Sequence, residues 1–79
     1  MKYEWEERTH KSGVDIFYCR QIFLWVVPIT IFDTFWLVCN GKSECLDVAG
    51  DWVAPIPHNR LKVFKSKKVA MRFAEGLHE

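Results

Sequence analysis

Two hydrophobic periods divide the chain. From Lys2 to Arg8 apolar and polar residues alternate, with Tyr3 and Trp5 on one face and Lys2, Glu4, Glu6 and Arg8 on the other, the pattern of a half-buried strand. Thr9-His10-Lys11-Ser12-Gly13 has turn composition, and Val14 to about Val26 resumes as a second strand, so the two are expected to form a hairpin. In that second strand Ile16, Tyr18, Ile22 and Leu24 share a face with Arg20, and Phe17, Cys19, Phe23 and Trp25 share the other with Gln21. Both faces are largely apolar, which suits a central strand covered on both sides or lying at an interface. A bend near Val27-Pro28 leads into a third strand, Ile29 to Cys39. Asn40-Gly41 follows, the strongest short hairpin signal in the chain, since both positions tolerate positive φ. Glu44 to Ala49 is expected to return as a fourth strand with Leu46 and Val48 inward, before a turn at Gly50-Asp51. Pro55 and Pro57 limit Trp52 to Ile56 to an edge strand or a loop, and Leu61 to Phe64 alternates as a last short strand.

The period then changes. Ser66 is a good N-cap. Val69, Ala70, Phe73, Ala74 and Leu77 recur at helical spacing, a stripe expected to pack on the sheet. Gly76 weakens the last turn or begins the C-cap. The fold class is therefore α+β: a small antiparallel sheet of four to five strands with one C-terminal helix, about 66–77, packed on a face. The 79 residues form a single domain, 1–79.

Residues 22–39 are apolar enough to raise a transmembrane helix. Asp33 inside the stretch would cost about 2.5–3.5 kcal/mol near a bilayer centre. Pro28 interrupts it, and a composition of Ile, Val, Thr, Phe and Trp without Ala or Gly suits pleated strands. No membrane association is expected. Overall 49% of residues are hydrophobic and 15% aromatic, four of them Trp. A chain this short buries only about 60% of its unfolded surface. Some aromatic surface is thus expected to serve a partner or a homodimer.

Candidate chemistry is sparse. Cys19, Cys39 and Cys45 are odd in number, and the charged start Met-Lys-Tyr-Glu-Trp-Glu-Glu is unlike a secretory leader. Reduced core thiols in a cytoplasmic protein are expected. Cys39 and Cys45 flank the hairpin turn and could lie across the two strands; a reduced pair is the expectation there too. His10, His58 and His78 are scattered, and the four glycines are isolated, so neither a metal site nor a phosphate-cradling loop is expected. Asp47 and Asp51 have no His or second acid close in sequence to work with, and Asp51 suits a turn. Asp33 and Arg20, each in an apolar strand, are expected at an edge, in solvent or in a salt bridge; if both are buried, they would pair with each other. No catalytic residues and no cofactors are expected.

Charge changes the picture. The formal net charge is +1. Between His58 and Arg72, however, stand Arg60, Lys62, Lys65, Lys67, Lys68 and Arg72 with no acid among them. Lysines in a first helical turn oppose the macrodipole. A helix start that accepts them suits an anionic partner. Two functional readings follow. One is a non-enzymatic protein-binding domain that docks an acidic protein surface through those six residues, with Trp25, Trp36 and Trp52 as aromatic contacts. Small Trp-rich domains of this kind are similar to accessory proteins of bacteriophages and other mobile elements that inhibit host enzymes or defence complexes. That comparison rests on size and composition, with host cytoplasm as the implied location. The alternative is a nucleic-acid-binding module using residues 58–72 for phosphates, with Trp52 or His58 available to stack. A self-associating structural protein is a weaker third.

Overall fold

Strand β1 (Trp5–Thr9) turns back into β2 (Asp15–Cys19), and each further strand repeats the move: β3 (Leu24–Ile31), β4 (Asp33–Asn40), β5 (Cys45–Leu46) and β6 (Trp52–Val53). The computed structural model describes residues 3–55 and 60–78. The six strands form one antiparallel sheet in the order β1-β2-β3-β4-β5-β6, followed by helix α1 (Lys67–His78). The α+β class and C-terminal helix agree with the sequence pattern, whereas the strand count is six instead of four to five. Lys2, Ile56, Pro57 and His58, which entered the expectations above, lie outside the described residues.

The extra strand comes from the segment read as continuous from Val14 to Val26. It folds at Arg20–Phe23, so that Cys19 pairs with Leu24. No Gly, Pro or Asn marks this turn; Phe23 takes the left-handed φ of +56°. Ile22 is buried in the core cluster instead of pointing along a strand. A second hairpin closes at Phe32, with φ +70° and its side chain fully exposed. The region 22–39 thus supplies β3 and β4. No helix among the described residues is long and apolar enough to cross a membrane.

Pro28 does not bend the chain out of the sheet; it lies within β3 opposite Trp36. The amide of Trp36 donates to Phe64 O (2.8 Å) and the amide of Phe64 donates to Trp36 O (2.9 Å). Trp36 therefore directs its backbone groups away from β3, which makes Pro28–Trp36 a non-hydrogen-bonded pair. The Pro28 nitrogen faces the β2 side, where pairing has already ended at Phe17–Val26. A residue without an N–H loses nothing there.

The register sorts the two faces, because residues directly opposite share a face. One row runs Trp5–Cys19–Leu24 and the next Glu7–Phe17–Val26–Val38. Their apolar members, with Ile22, Leu46 and Phe64, form one core cluster with Ala70 and Ala74 of α1, while Glu7 is exposed. The helix stripe corrects the expectation: Ala70 and Ala74 are fully buried, but Val69, Phe73 and Leu77 are exposed. Small residues let the helix lie close on the sheet, flanked by Met71, which packs partly buried against the core, and by Phe73, whose ring lies 5.2 Å from that of Phe64. Trp5 Nε1 donates to Glu75 Oε2 (2.9 Å), tying the helix to the first strand.

The β4–β5 connection also differs from a tight Asn-Gly turn. The loop is Gly41-Lys42-Ser43, closed by the Asn40 amide on Glu44 O (2.9 Å), and the left-handed residue is Ser43 at φ +63°. Asn40 Oδ1 accepts from the amides of Lys42 (2.9 Å) and Glu44 (3.0 Å). Asn40 therefore serves as an Asx cap, not as a positive-φ turn residue. Ser43→Gly removes the Cβ penalty of the left-handed region and is expected to raise stability by about 1 kcal/mol in urea titration. A lowered midpoint would show that Ser43 is not strained. Beyond β6, Leu61 and Phe64 make single bridges to Asp47 and Trp36 in place of a continuous last strand.

Candidate functional site

The helix start is built as the sequence indicates. Ser66 Oγ accepts from the amides of Lys68 (3.1 Å) and Val69 (3.4 Å). The first turn contains no acid. Of the six basic residues, Arg60, Lys65, Lys67, Lys68 and Arg72 are exposed and Lys62 is half-buried. Two of them lie over aromatic rings: Lys67 Nζ is 4.7 Å from the Phe17 centroid, and Lys62 Nζ is 5.5 Å from Phe64 and 5.3 Å from Phe73. Such contacts hold an ammonium against the core edge while leaving its charge outward. Among the described residues the ion pairs are Arg8–Glu6 (2.9 Å) and Arg20–Glu6 (3.9 Å), so no carboxylate neutralises the six. Lys68 and Arg72 stand four residues apart beside the exposed stripe Val69, Phe73 and Leu77, and Val63 adds to the same apolar surface class.

The three tryptophans named as contacts separate. Trp36 and Trp52 pack partly buried against the helix-side core, Trp36 with its ring 5.9 Å from Phe17. Trp25 lies on the helix-free face, stacked on Tyr18 at 4.2 Å, with the Arg8 guanidinium 4.9 Å from Tyr18 and 5.7 Å from Trp25. Arg20 and Asp33 do not meet: Arg20 reaches Glu6, and Asp33 is exposed beside the Phe32 turn.

The helix-free face holds a cleft that sequence reasoning missed. The cleft, of about 520 Å³, has apolar walls from Val14, Ile16, Trp25, Val27, Pro28 and Cys39 and polar groups from His10, Ser12, Asn40 and Ser43. The Ser12 amide donates to His10 Nδ1 (3.2 Å), which orients the imidazole at one end. Cys39 lies directly opposite Cys45, and their sulfurs are 2.8 Å apart. That hydrogen bond favours a thiolate on Cys45 and lowers its pKa. The same bond, then burial and the Cys45 charge, push the Cys39 thiol far above the ordinary range. The signal for this pair was loop length. A two-residue turn centred on Asn40-Gly41 would place Cys39 opposite Lys42, whereas the three-residue loop brings it to Cys45.

Asp47, the one buried acid among the described residues, holds a turn. Its Oδ1 accepts from the amides of Ala49 (3.0 Å) and Asp51 (2.8 Å). No group of three or more His, Cys, Asp or Glu among the described residues is placed to hold a metal ion. Comparison with protein-family models, curated proteins and solved structures finds no match.

Proposed function

We propose that the protein is a non-enzymatic binding domain whose partner is another protein with an acidic surface. It docks through the start of α1 and the apolar stripe beside it. What supports this is the juxtaposition of basic residues that no carboxylate neutralises among the described residues with Val69, Phe73 and Leu77 exposed on the same helix. An apolar patch with a charged rim is the usual anatomy of a protein interface, and the rim sets partner choice and association rate. The tryptophans Trp36 and Trp52 support the surface from within, while Trp25 belongs to the other face.

The test compares wild type with the triple variant Lys65→Glu, Lys68→Glu, Arg72→Glu, immobilised against extract from the source cells and against two defined probes, polyglutamate and a DNA duplex. Wild type is expected to retain one protein stoichiometrically. The charge reversal is expected to weaken that complex roughly tenfold, since three rim pairs contribute about 0.2–1 kcal/mol each. A folded monomer that retains no protein would refute the reading. Salt-sensitive retention of the duplex but not of polyglutamate would favour the nucleic-acid alternative.

A further inference from the structure

The geometry points to Cys39 and Cys45 as a reversible dithiol–disulfide site that exchanges with small disulfides of the glutathione class through the cleft on the helix-free face. The backbone sets the pair. The Asn40 amide donates to Glu44 O, so Asn40 directs its hydrogen bonds toward β5 and its neighbour Cys39 directs its own toward β3. Cys39–Cys45 is therefore a non-hydrogen-bonded antiparallel pair. In such pairs the Cα atoms stand about 4.5 Å apart and the side chains lean together, which falls inside the span a disulfide accepts. The sulfurs already stand 2.8 Å apart, so closure needs no rearrangement of the strands. Cys39 is half-buried and lines the cleft, whereas Cys45 is buried behind it. One sulfur is reached from solvent and the other resolves. Cys19 has neither property: it is fully buried in the helix-side core, and its S–H donates to Gln21 Oε1 at 3.3 Å.

The exchange balances as follows. The pair gives up one proton to solvent and its charge rests on Cys45, which accepts the Cys39 proton along the sulfur–sulfur contact as Cys39 attacks. The Cys39 sulfur, its proton passing to the Cys45 thiolate, attacks one sulfur of glutathione disulfide. That S–S bond breaks, and one glutathione thiolate leaves and takes up a proton. Cys45 then attacks Cys39 Sγ, losing its own proton, and the second glutathione leaves as thiolate to receive it. Two protein thiols and one glutathione disulfide become one protein disulfide and two glutathione thiols. The two protein sulfurs are oxidised and the reagent is reduced. A bond closing so short a loop gains little from chain entropy, which keeps the dithiol within reach of a reducing buffer. Intracellular disulfides of this kind are characteristically transient. The cross-link would fix β5 to β4; β5 pairs with β6 and is followed directly by the isolated Asp47–Leu61 bridge.

The full chain, reduced and then equilibrated in glutathione buffers from fully reduced to fully oxidised, is alkylated under denaturing conditions and mapped by mass spectrometry. The expected result is loss of two alkylation sites in the oxidised buffers, a Cys39–Cys45 linked peptide two hydrogens lighter, and full recovery on returning to excess thiol. Cys19 stays alkylatable throughout. Cys45→Ser removes the resolving sulfur and is expected to leave Cys39 as a stable glutathione adduct; Cys39→Ser is expected to leave Cys45 unmodified in the folded protein. Two free thiols in fully oxidised buffer, a persistent wild-type glutathione adduct, or a bridge to Cys19 would each overturn the proposal.

Discussion

Leu46→Ala is expected to be the most damaging conservative truncation in the protein, costing about 2–5 kcal/mol. Leu46 is only 1% exposed and is among the largest fully buried side chains. It lies on a two-residue strand opposite Trp52, and its carbonyl accepts the Lys62 amide at 3.0 Å. Neighbours held on both sides by the backbone cannot collapse into the space it leaves, so the cavity term is large. Small domains have a total stability of about 5–15 kcal/mol, so this loss removes much of the margin. Val48→Ala is the matched control. The alternating pattern places both residues inward, but Val48 is 61% exposed, and its truncation is expected to stay within about 0.5 kcal/mol. Urea unfolding of both variants decides the matter; equal losses would mean that Val48 is packed in solution.

Asp47→Ala is expected to destabilise by about 1.5–3 kcal/mol. The carboxylate accepts two amides, and the backbone of the same residue closes the turn: its amide donates to Asp51 O (2.9 Å) and its carbonyl accepts from Gly50 (3.0 Å). Gly50 sits at φ +92°, which a residue with a Cβ adopts poorly. Losing the carboxylate strands donors in a turn whose geometry is already demanding. Asp47→Asn keeps a neutral acceptor at Oδ1 and is expected to cost about half as much, since charge-assisted bonds are roughly twice as strong. Thermal unfolding of the two variants checks the order. If Ala and Asn were equally harmless, the turn would be held by Gly50 and the backbone alone.

Asp47 also shows how far sequence reading reaches. An acid near Gly50-Asp51 marks a turn by composition, but its burial and its two amide partners follow from where β5 ends. The Arg20–Phe23 turn carries no turn residue at all. An apolar run reads as continuous strand until Ile22 finds a place in the core and lets Phe23 take a left-handed conformation. Pro28 reads as a break because its lack of an N–H is visible and the absence of a neighbouring strand on that side is not. At the helix, the 3.6-residue period identifies the stripe but not its centre. Two alanines sit at the centre of the contact, Met71 and Phe73 flank it, and the parts of Val69, Phe73 and Leu77 left exposed form the surface of the proposed docking site.

The sequence alone determined the alternation that makes β1, the change of period that makes α1, the Ser66 cap and the confinement of six basic residues to one acid-free segment. Each is a local property, decided by neighbours within a few positions. Only the tertiary structure decided that residues 14–26 hold two strands, that Val69, Phe73 and Leu77 keep much of their surface exposed, and that Cys39 meets Cys45 at the edge of a cleft. Those outcomes depend on register, and register is set by how several strands and the helix bury their apolar faces together. No single segment contains that information.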